Sequence, residues 1–228
     1  MKAWEIRNAE GIDALSLVDR PTPVPGPHEV VVRIRAVSLN YRDLLHVLGF
    51  ADSDRWPLVP CSDGAGEIIA VGAAVSRFAV GDRVAGTFFQ RWVAGEMTET
   101  VMESAVGGRV QGMLAEQVCV PEDALVAMLP GWTFAEAATL PCAAVTAWHA
   151  LVTRGHLAAG ETVLALGTGG VAMFALQIAK MHGARCIITS SSDEKLARAR
   201  ALGADETVNY ARQPDWETQV LELTGGRG

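Results

Sequence analysis

Thr162-Val163-Leu164-Ala165-Leu166, followed directly by Gly167-Thr168-Gly169-Gly170-Val171-Ala172, is the stretch whose reading decides the fold. An apolar run of strand length breaks into glycines and resumes as an apolar helix over 171–182, after which a second apolar run covers 185–189. Each small residue has a task. Gly167 permits a tight turn after the strand, Gly169 lets the backbone approach a ligand closely, and Ala172 lets helix and strand pack together. The first turn of a helix leaves backbone N–H groups without intrahelical partners and carries the positive end of the helix dipole, which suits phosphate groups. Gly167, Thr168, Gly169, Gly170 and Val171 are thus the candidate cradle for a dinucleotide pyrophosphate. The competing reading is an ordinary glycine-rich strand–helix loop; it explains the six residues alone but not the complete strand–turn–helix–strand unit around them.

Outward toward the C-terminus the pattern repeats, with a helix over 193–202, a strand over 206–209 and a helix over 215–223. Gly183 and Gly203 stand where helices end, and Ser191 with Glu194 suggests a capping box for the helix from 193. Alternating β and α at this spacing predicts a parallel sheet with right-handed crossovers. Only three such strands are encoded before Gly228, whereas a dinucleotide fold normally has a second mononucleotide half. The expectation is an incomplete sheet in which the strand over 162–166 has an uncovered edge, open to aggregation or a partner.

The residues after the second strand address the form of the dinucleotide. An Asp or Glu about twenty residues beyond the glycines ordinarily bonds both ribose hydroxyls of NAD. Here the strand ends in Thr189-Ser190-Ser191-Ser192. Hydroxyls can donate to a 2′-phosphate that a carboxylate would repel, Lys195 supplies a counter-charge, and Tyr210 stands just past the third strand. Ser190, Ser191, Lys195 and Tyr210 therefore point to NADP(H). The competing reading has Ser191 and Ser192 as plain helix caps and Lys195 as a solvated surface lysine; it accounts for Lys195 alone better than for the set.

The residues before about 130 have a different texture. Val30, Val32, Ile34 and Ala36 alternate with Val31, Arg33 and Arg35, the period of a half-buried strand. Further strands are predicted over 4–7, 15–18, 66–71, 83–88, 116–120 and 125–129, separated by Gly/Pro turns, which suggests a barrel or sandwich. One short helix is expected over 41–48, ended by Gly49, and a long surface loop over 90–112. Thr133 and Glu136 form a capping box that opens a helix, interrupted near Pro141 and resumed to about 153. Two domains follow, 1–130 β-rich and 131–228 α/β.

Bulk composition excludes several classes. A net charge of −7 without a basic run argues against nucleic acid. No apolar run is long enough to span a bilayer, the first residues lack a signal-peptide core, and the four cysteines are scattered singly. A cytoplasmic protein acting on a small molecule, without nucleic-acid or membrane partners, is expected.

A set of landmarks now carries a family resemblance: Leu39-Asn40-Tyr41-Arg42-Asp43, Pro60-Cys61-Ser62-Asp63-Gly64-Ala65-Gly66, Val80-Gly81-Asp82-Arg83-Val84, Thr139-Leu140-Pro141-Cys142-Ala143-Ala144-Val145-Thr146-Ala147, and the glycine turn. Over essentially its whole length the chain resembles the medium-chain dehydrogenase/reductase superfamily, in particular its zinc-independent, quinone-oxidoreductase-like branch. The resemblance implies an α/β protein: a partly open, co-chaperonin-like β-barrel followed by a Rossmann domain, here incomplete at its C-terminus. It implies hydride transfer between NADP(H) and a small carbonyl, enone, quinone or alcohol, with Tyr41 and Asn40 beside the reacting carbonyl and Thr146 on the cofactor. It also implies a homodimer for the full-length family, an assembly in doubt for this shorter chain.

Zinc-dependent relatives carry a catalytic Cys, His and Cys; the matching places here hold Asn40, Ser62 and Cys142, of which only the last is a good Zn²⁺ ligand, so no metal is expected. Cys61 replaces the family's usual glycine, at a point where a positive φ is anticipated. Tyr41 reads equally as a helix-start residue packed on the barrel, and Arg42 with Asp43 as a local ion pair. The alternative to an enzyme is a catalytically incomplete fragment that binds nucleotide or a protein partner only; the chain is also readable as part of a longer active enzyme.

Overall fold

In the computed structural model, which describes residues 1–8, 10–49 and 56–227, the chain divides between Cys142 and Ala143 into two units. The first begins with a two-stranded ribbon, β1 (Lys2–Ile6) antiparallel to β2 (Leu15–Asp19). There follow β3 (Glu29–Ser38), α1 (Tyr41–Val47), β4 (Asp63–Val71), β5 (Arg83–Gly86), α2 (Glu99–Met102), β6 (Gln117–Pro121), β7 (Leu125–Ala127) and α3 (Phe134–Ala138). Five strands form one antiparallel sheet in the order β6-β3-β4-β5-β7.

The two edges of that sheet, β6 and β7, are consecutive in the chain and joined by a single 3₁₀ turn, Glu122–Ala124. A flat five-stranded sheet is about 19 Å wide between its edge strands. Three residues of 3₁₀ helix advance only about 6 Å. The sheet must therefore curl until its edges approach, without pairing, which is the partly open barrel that the alternation in β3 implied. Val30, Val32, Ile68, Val84, Val120 and Leu125, contributed by all five strands, close its core.

Two register shifts in the β3–β4 pairing supply the bend. Gly66 lies at one of them: a β-carbon there would sit 2.1 Å from the Arg33 carbonyl oxygen, so only glycine lets the strands approach.

The segment 90–112 is not a surface loop throughout. It contains α2, capped by the Thr98 hydroxyl, and it buries Val101, Ala105 and Val106, the last wholly within the barrel core. Three apolar plugs among polar residues have no periodicity for a sequence reading to detect.

Where the chain passes from the first unit to the second, the predicted helix interruption at Pro141 is a change of pitch. Leu140–Ala144 is π-helical, α4 (Val145–Trp148) is α-helical, and His149–Arg154 is π-helical again. Proline has no N–H to give the α ladder, so a widened turn absorbs it. Beyond lie β8 (Thr162–Ala165), α5 (Gly170–Met181), β9 (Arg185–Ser190), α6 (Asp193–Ala201), β10 (Glu206–Asn209) and α7 (Trp216–Leu223). The strands form a parallel sheet ordered β10-β9-β8.

Side chains alternate along β9, so Ile188 meets Leu176 and Ala179 of α5 and Ala199 of α6, while Ile187 meets Val208 and Val220 of α7. Helices thus cover both faces, as in a doubly wound fold. Among the described residues β8 pairs with β9 alone, and Leu166 just beyond it is 64% exposed. No helix among the described residues is long and apolar enough to cross a membrane.

Candidate functional site

The glycine turn has the geometry its sequence demands. Gly167 adopts φ +82°, and its N–H donates to the Thr189 hydroxyl at 3.2 Å, tying the turn to the end of β9. Gly169 is the N-cap of α5 in extended backbone, and no side chain caps that helix. The free donors of its first turn are therefore available to a ligand. A β-carbon at Gly167 or Gly169 would meet no protein atom within 4 Å, so the space above the turn is open. Behind it, a β-carbon at Gly170 would come within 3.3 Å of the Ala143 methyl, and Ala172 is buried. Open outside, tight inside and uncapped, the turn fits a pyrophosphate. Thr168 is half-buried in the turn, Val171 is exposed on the first turn of α5, and Thr146 is exposed on α4, which packs against α5.

The residues expected at the 2′-position divide into two kinds. Ser190 is 5% exposed; its hydroxyl accepts from the Ser192 N–H at 3.2 Å, and its carbonyl accepts from the Tyr210 N–H at 3.2 Å. Ser190 therefore joins the turns after β9 and β10. Ser191, Lys195 and Tyr210 are exposed. The cap of α6 is Ser192, whose hydroxyl accepts from the Lys195 N–H at 3.4 Å, and not the Ser191–Glu194 box; Glu194 instead pairs with Arg198 at 2.6 Å. Three consecutive serines leave the cap's register undetermined, and the structure resolves it because β9 continues through Ser190.

Sequence reasoning missed a polar clamp beside these residues. The Asn209 amide donates to Asp193 Oδ1 at 2.6 Å, and the Arg212 guanidinium pairs with Asp193 Oδ2. Asn209 also accepts the Ala211 N–H at 3.0 Å. An Asn at a strand end is a turn signal, but nothing in the one-dimensional pattern links it to Asp193.

In the first unit a second polar cluster forms around two buried carboxylates. The Asn40 N–H donates to Asp43 Oδ2 at 2.8 Å, which caps α1. Tyr41, the first residue of that helix, is 79% exposed and so is not packed on the barrel. Arg42 lies 3.5 Å from Asp43 Oδ1, the expected local pair, but it also donates to the Val106 carbonyl at 3.0 Å, contacts His46 Nε2 at 3.1 Å and stacks over Phe88. It pins the buried part of 90–112 to α1.

Two of the three positions matched to metal ligands donate to Asp63. Ser62 donates to Oδ1 at 2.6 Å and the Cys142 N–H donates to Oδ2 at 3.0 Å. Burial pushes the Asp63 carboxyl above its ordinary range; Ser62 and Asn40 offset part of that rise. Burial raises Asp43 as well, against the Asn40 N–H and Arg42, which lower it. Among the described residues no three His, Cys, Asp or Glu side chains group around a metal-sized space. Cys61 stands at φ +69°, the conformation anticipated for glycine, with its thiol pushed up to about 12, chiefly by burial.

Comparison with known proteins agrees with both halves. Residues 26–130 match the alcohol dehydrogenase GroES-like domain and residues 170–228 match the zinc-binding dehydrogenase family. A zinc-type alcohol dehydrogenase-like protein of Schizosaccharomyces pombe is 44% identical over 222 residues, 96% of this chain and 64% of that one. A quinone oxidoreductase of Pseudomonas aeruginosa is 36% identical, covering 95% and 61%. An NADPH-dependent alkenal/one oxidoreductase of Arabidopsis thaliana is 35% identical, covering 99% and 58%. Among solved structures, a candidate alcohol dehydrogenase from Sinorhizobium meliloti 1021 is 48% identical with a TM-score of 0.92, covering all of this chain and 67% of that one. An NAD-dependent alcohol dehydrogenase is 39% identical with a TM-score of 0.90, covering all of this chain and 68% of that one. The chain thus spans about three-fifths of the length of these curated relatives.

Proposed function

Because the chain belongs to the medium-chain dehydrogenase/reductase superfamily, we propose that it is the greater part of an oxidoreductase that moves a hydride between NADP(H) and a small carbonyl, enone, quinone or alcohol. The observation that carries this reading is the uncapped N-terminus of α5 beneath a turn whose glycines face open space. The bound nicotinamide supplies the hydride chemistry. Gly167 to Val171 hold the pyrophosphate through backbone N–H groups, and Thr146 contacts the cofactor. Tyr41 donates a hydrogen bond to the substrate oxygen as it gains charge, with Asn40 beside it. The exposure of the Tyr41 ring, on a helix start fixed by Asn40 and Asp43, supports that assignment.

Two named relatives differ in cofactor, one NADPH-dependent and one NAD-dependent, so the choice rests on this chain's own residues. β9 ends in Ser190 rather than a carboxylate, and Ser191, Lys195 and Tyr210 are free to meet a 2′-phosphate. The donor set Asn40, Ser62 and Cys142 offers one soft ligand, and Ser62 is already committed to Asp63, so the proposed chemistry uses no zinc at that place. The test is a titration with NADPH and with NADH followed by tryptophan fluorescence, then NADPH oxidation with a quinone and with an enone. Lys195→Ala should weaken NADPH at least about fivefold and leave NADH within about twofold. Equal losses would remove Lys195 from the 2′-phosphate.

The edge of β8 that has no strand partner among the described residues favours a second reading, a portion that binds nucleotide or a protein strand without turning over. NADPH binding without its oxidation by either acceptor would select it.

A further inference from the structure

We infer that the Asp193–Arg212 ion pair sets the cofactor preference of this site: Arg212 masks a carboxylate that, left bare, would select the 2′-hydroxyl of NAD(H) over the 2′-phosphate of NADP(H). This deepens the NADP(H) reading above and rests on it.

Two carboxylates stand in the first turn of α6, directly after the three serines. Glu194 is paired with Arg198 along its own helix. Asp193 is held from the other side, by Asn209 on Oδ1 and Arg212 on Oδ2. Both donors belong to the end of β10 and the turn after it, the segment that presents Tyr210, and Asn209 pairs in register with Ser190. The clamp therefore laces the start of α6, which follows Ser191 and carries Lys195, to the turn that carries Tyr210.

The charge balance explains the consequence. Lys195 and Arg212 against Asp193 sum to one net positive charge, with Arg200 beside the cleft in every variant. Without Arg212 the balance is zero and the carboxylate has lost its cationic partner. A bare carboxylate repels a phosphate and accepts hydrogen bonds from a ribose hydroxyl. Because Asp193 and Arg212 are both largely exposed, salt screens the effect and limits its size. A cleft of about 450 Å³ beside the pair, lined also by Arg200 and Gln213, leaves the Arg212 side chain room to move without disturbing the sheet.

The experiment is a double-mutant cycle read by calorimetric titration of the whole chain with NADPH and NADH: wild type, Arg212→Ala, Asp193→Asn and the double variant, each checked by thermal melting. The expected result is an NADPH preference that falls about five- to tenfold in Arg212→Ala and returns to within about twofold of wild type in the double variant. A double variant no better than Arg212→Ala would overturn the inference, since Arg212 would then contact the phosphate directly. An Arg212→Ala variant that binds both cofactors as wild type does would overturn it too. A wild-type chain that prefers NADH fails the NADP(H) reading itself, a separate outcome from failure of the cycle.

Discussion

His46 shows how a single buried residue links α1 to the pH of the solution. Arg42 can only donate, so the 3.1 Å contact makes His46 Nε2 the acceptor and leaves the ring neutral with its proton on Nδ1, which has no partner. Burial first, then the charges of Arg42 and Arg109, hold its pKa below 6.5. A histidine with a depressed folded pKa contributes stability above its unfolded value and loses it as pH falls through the folded one. The melting temperature should therefore drop below about pH 6.5, and His46→Gln, which keeps an acceptor for Arg42, should flatten that drop. Equal pH slopes in the two proteins would contradict the assignment.

Tyr41 belongs to the same scale. Tyr41→Phe removes one hydroxyl from an exposed ring, so it should lower turnover about 10²-fold with NADPH affinity unchanged. Unchanged turnover would leave Tyr41 as a helix-start residue only. At this scale the sequence was informative where a residue type is nearly obligatory. Cys61 in place of glycine announced a positive φ, and Gly167 a tight turn. It was silent where partners lie far apart in the chain, as with Asp63, which gathers donors from Ser62 and from Cys142, 79 positions away.

Among the elements, strands were legible because half-burial imposes a period of two, and β3 to β7 lie close to where alternation and turn residues put them. The segment 90–112 was not legible, because it reaches the core through isolated side chains rather than a face. Nor were the π-helical turns around Pro141, since pitch leaves no mark on composition. The close strand approach at Gly66 gives the bend of the barrel a test. Gly66→Ala should cost about 2–3 kcal/mol, since a β-carbon would force the β3 backbone away from β4. A urea midpoint equal to wild type would mean the bulge has slack.

For the whole molecule, the chain divides into two units with their own cores between Cys142 and Ala143, not after residue 130 where the change of texture put the boundary, because α3 packs on β3 and β4 of the first unit. The curl of the barrel follows from one short connection between edge strands, and the doubly wound character of the second unit from the opposite faces of Ile187 and Ile188. What joins these parts into an account of function is the glycine turn, and Gly169 allows that link to be tested without harming the fold. It is an N-cap in extended backbone facing empty space, and Asp is a preferred N-cap residue. Gly169→Asp should therefore leave the melting temperature of the ligand-free chain equal or higher, while placing a carboxylate where the proposed cofactor's pyrophosphate would sit. Calorimetric titration with NADPH should then show binding by the wild type and a loss of at least about 100-fold in the variant. A Gly169→Asp chain that binds NADPH as tightly as the wild type would contradict the account.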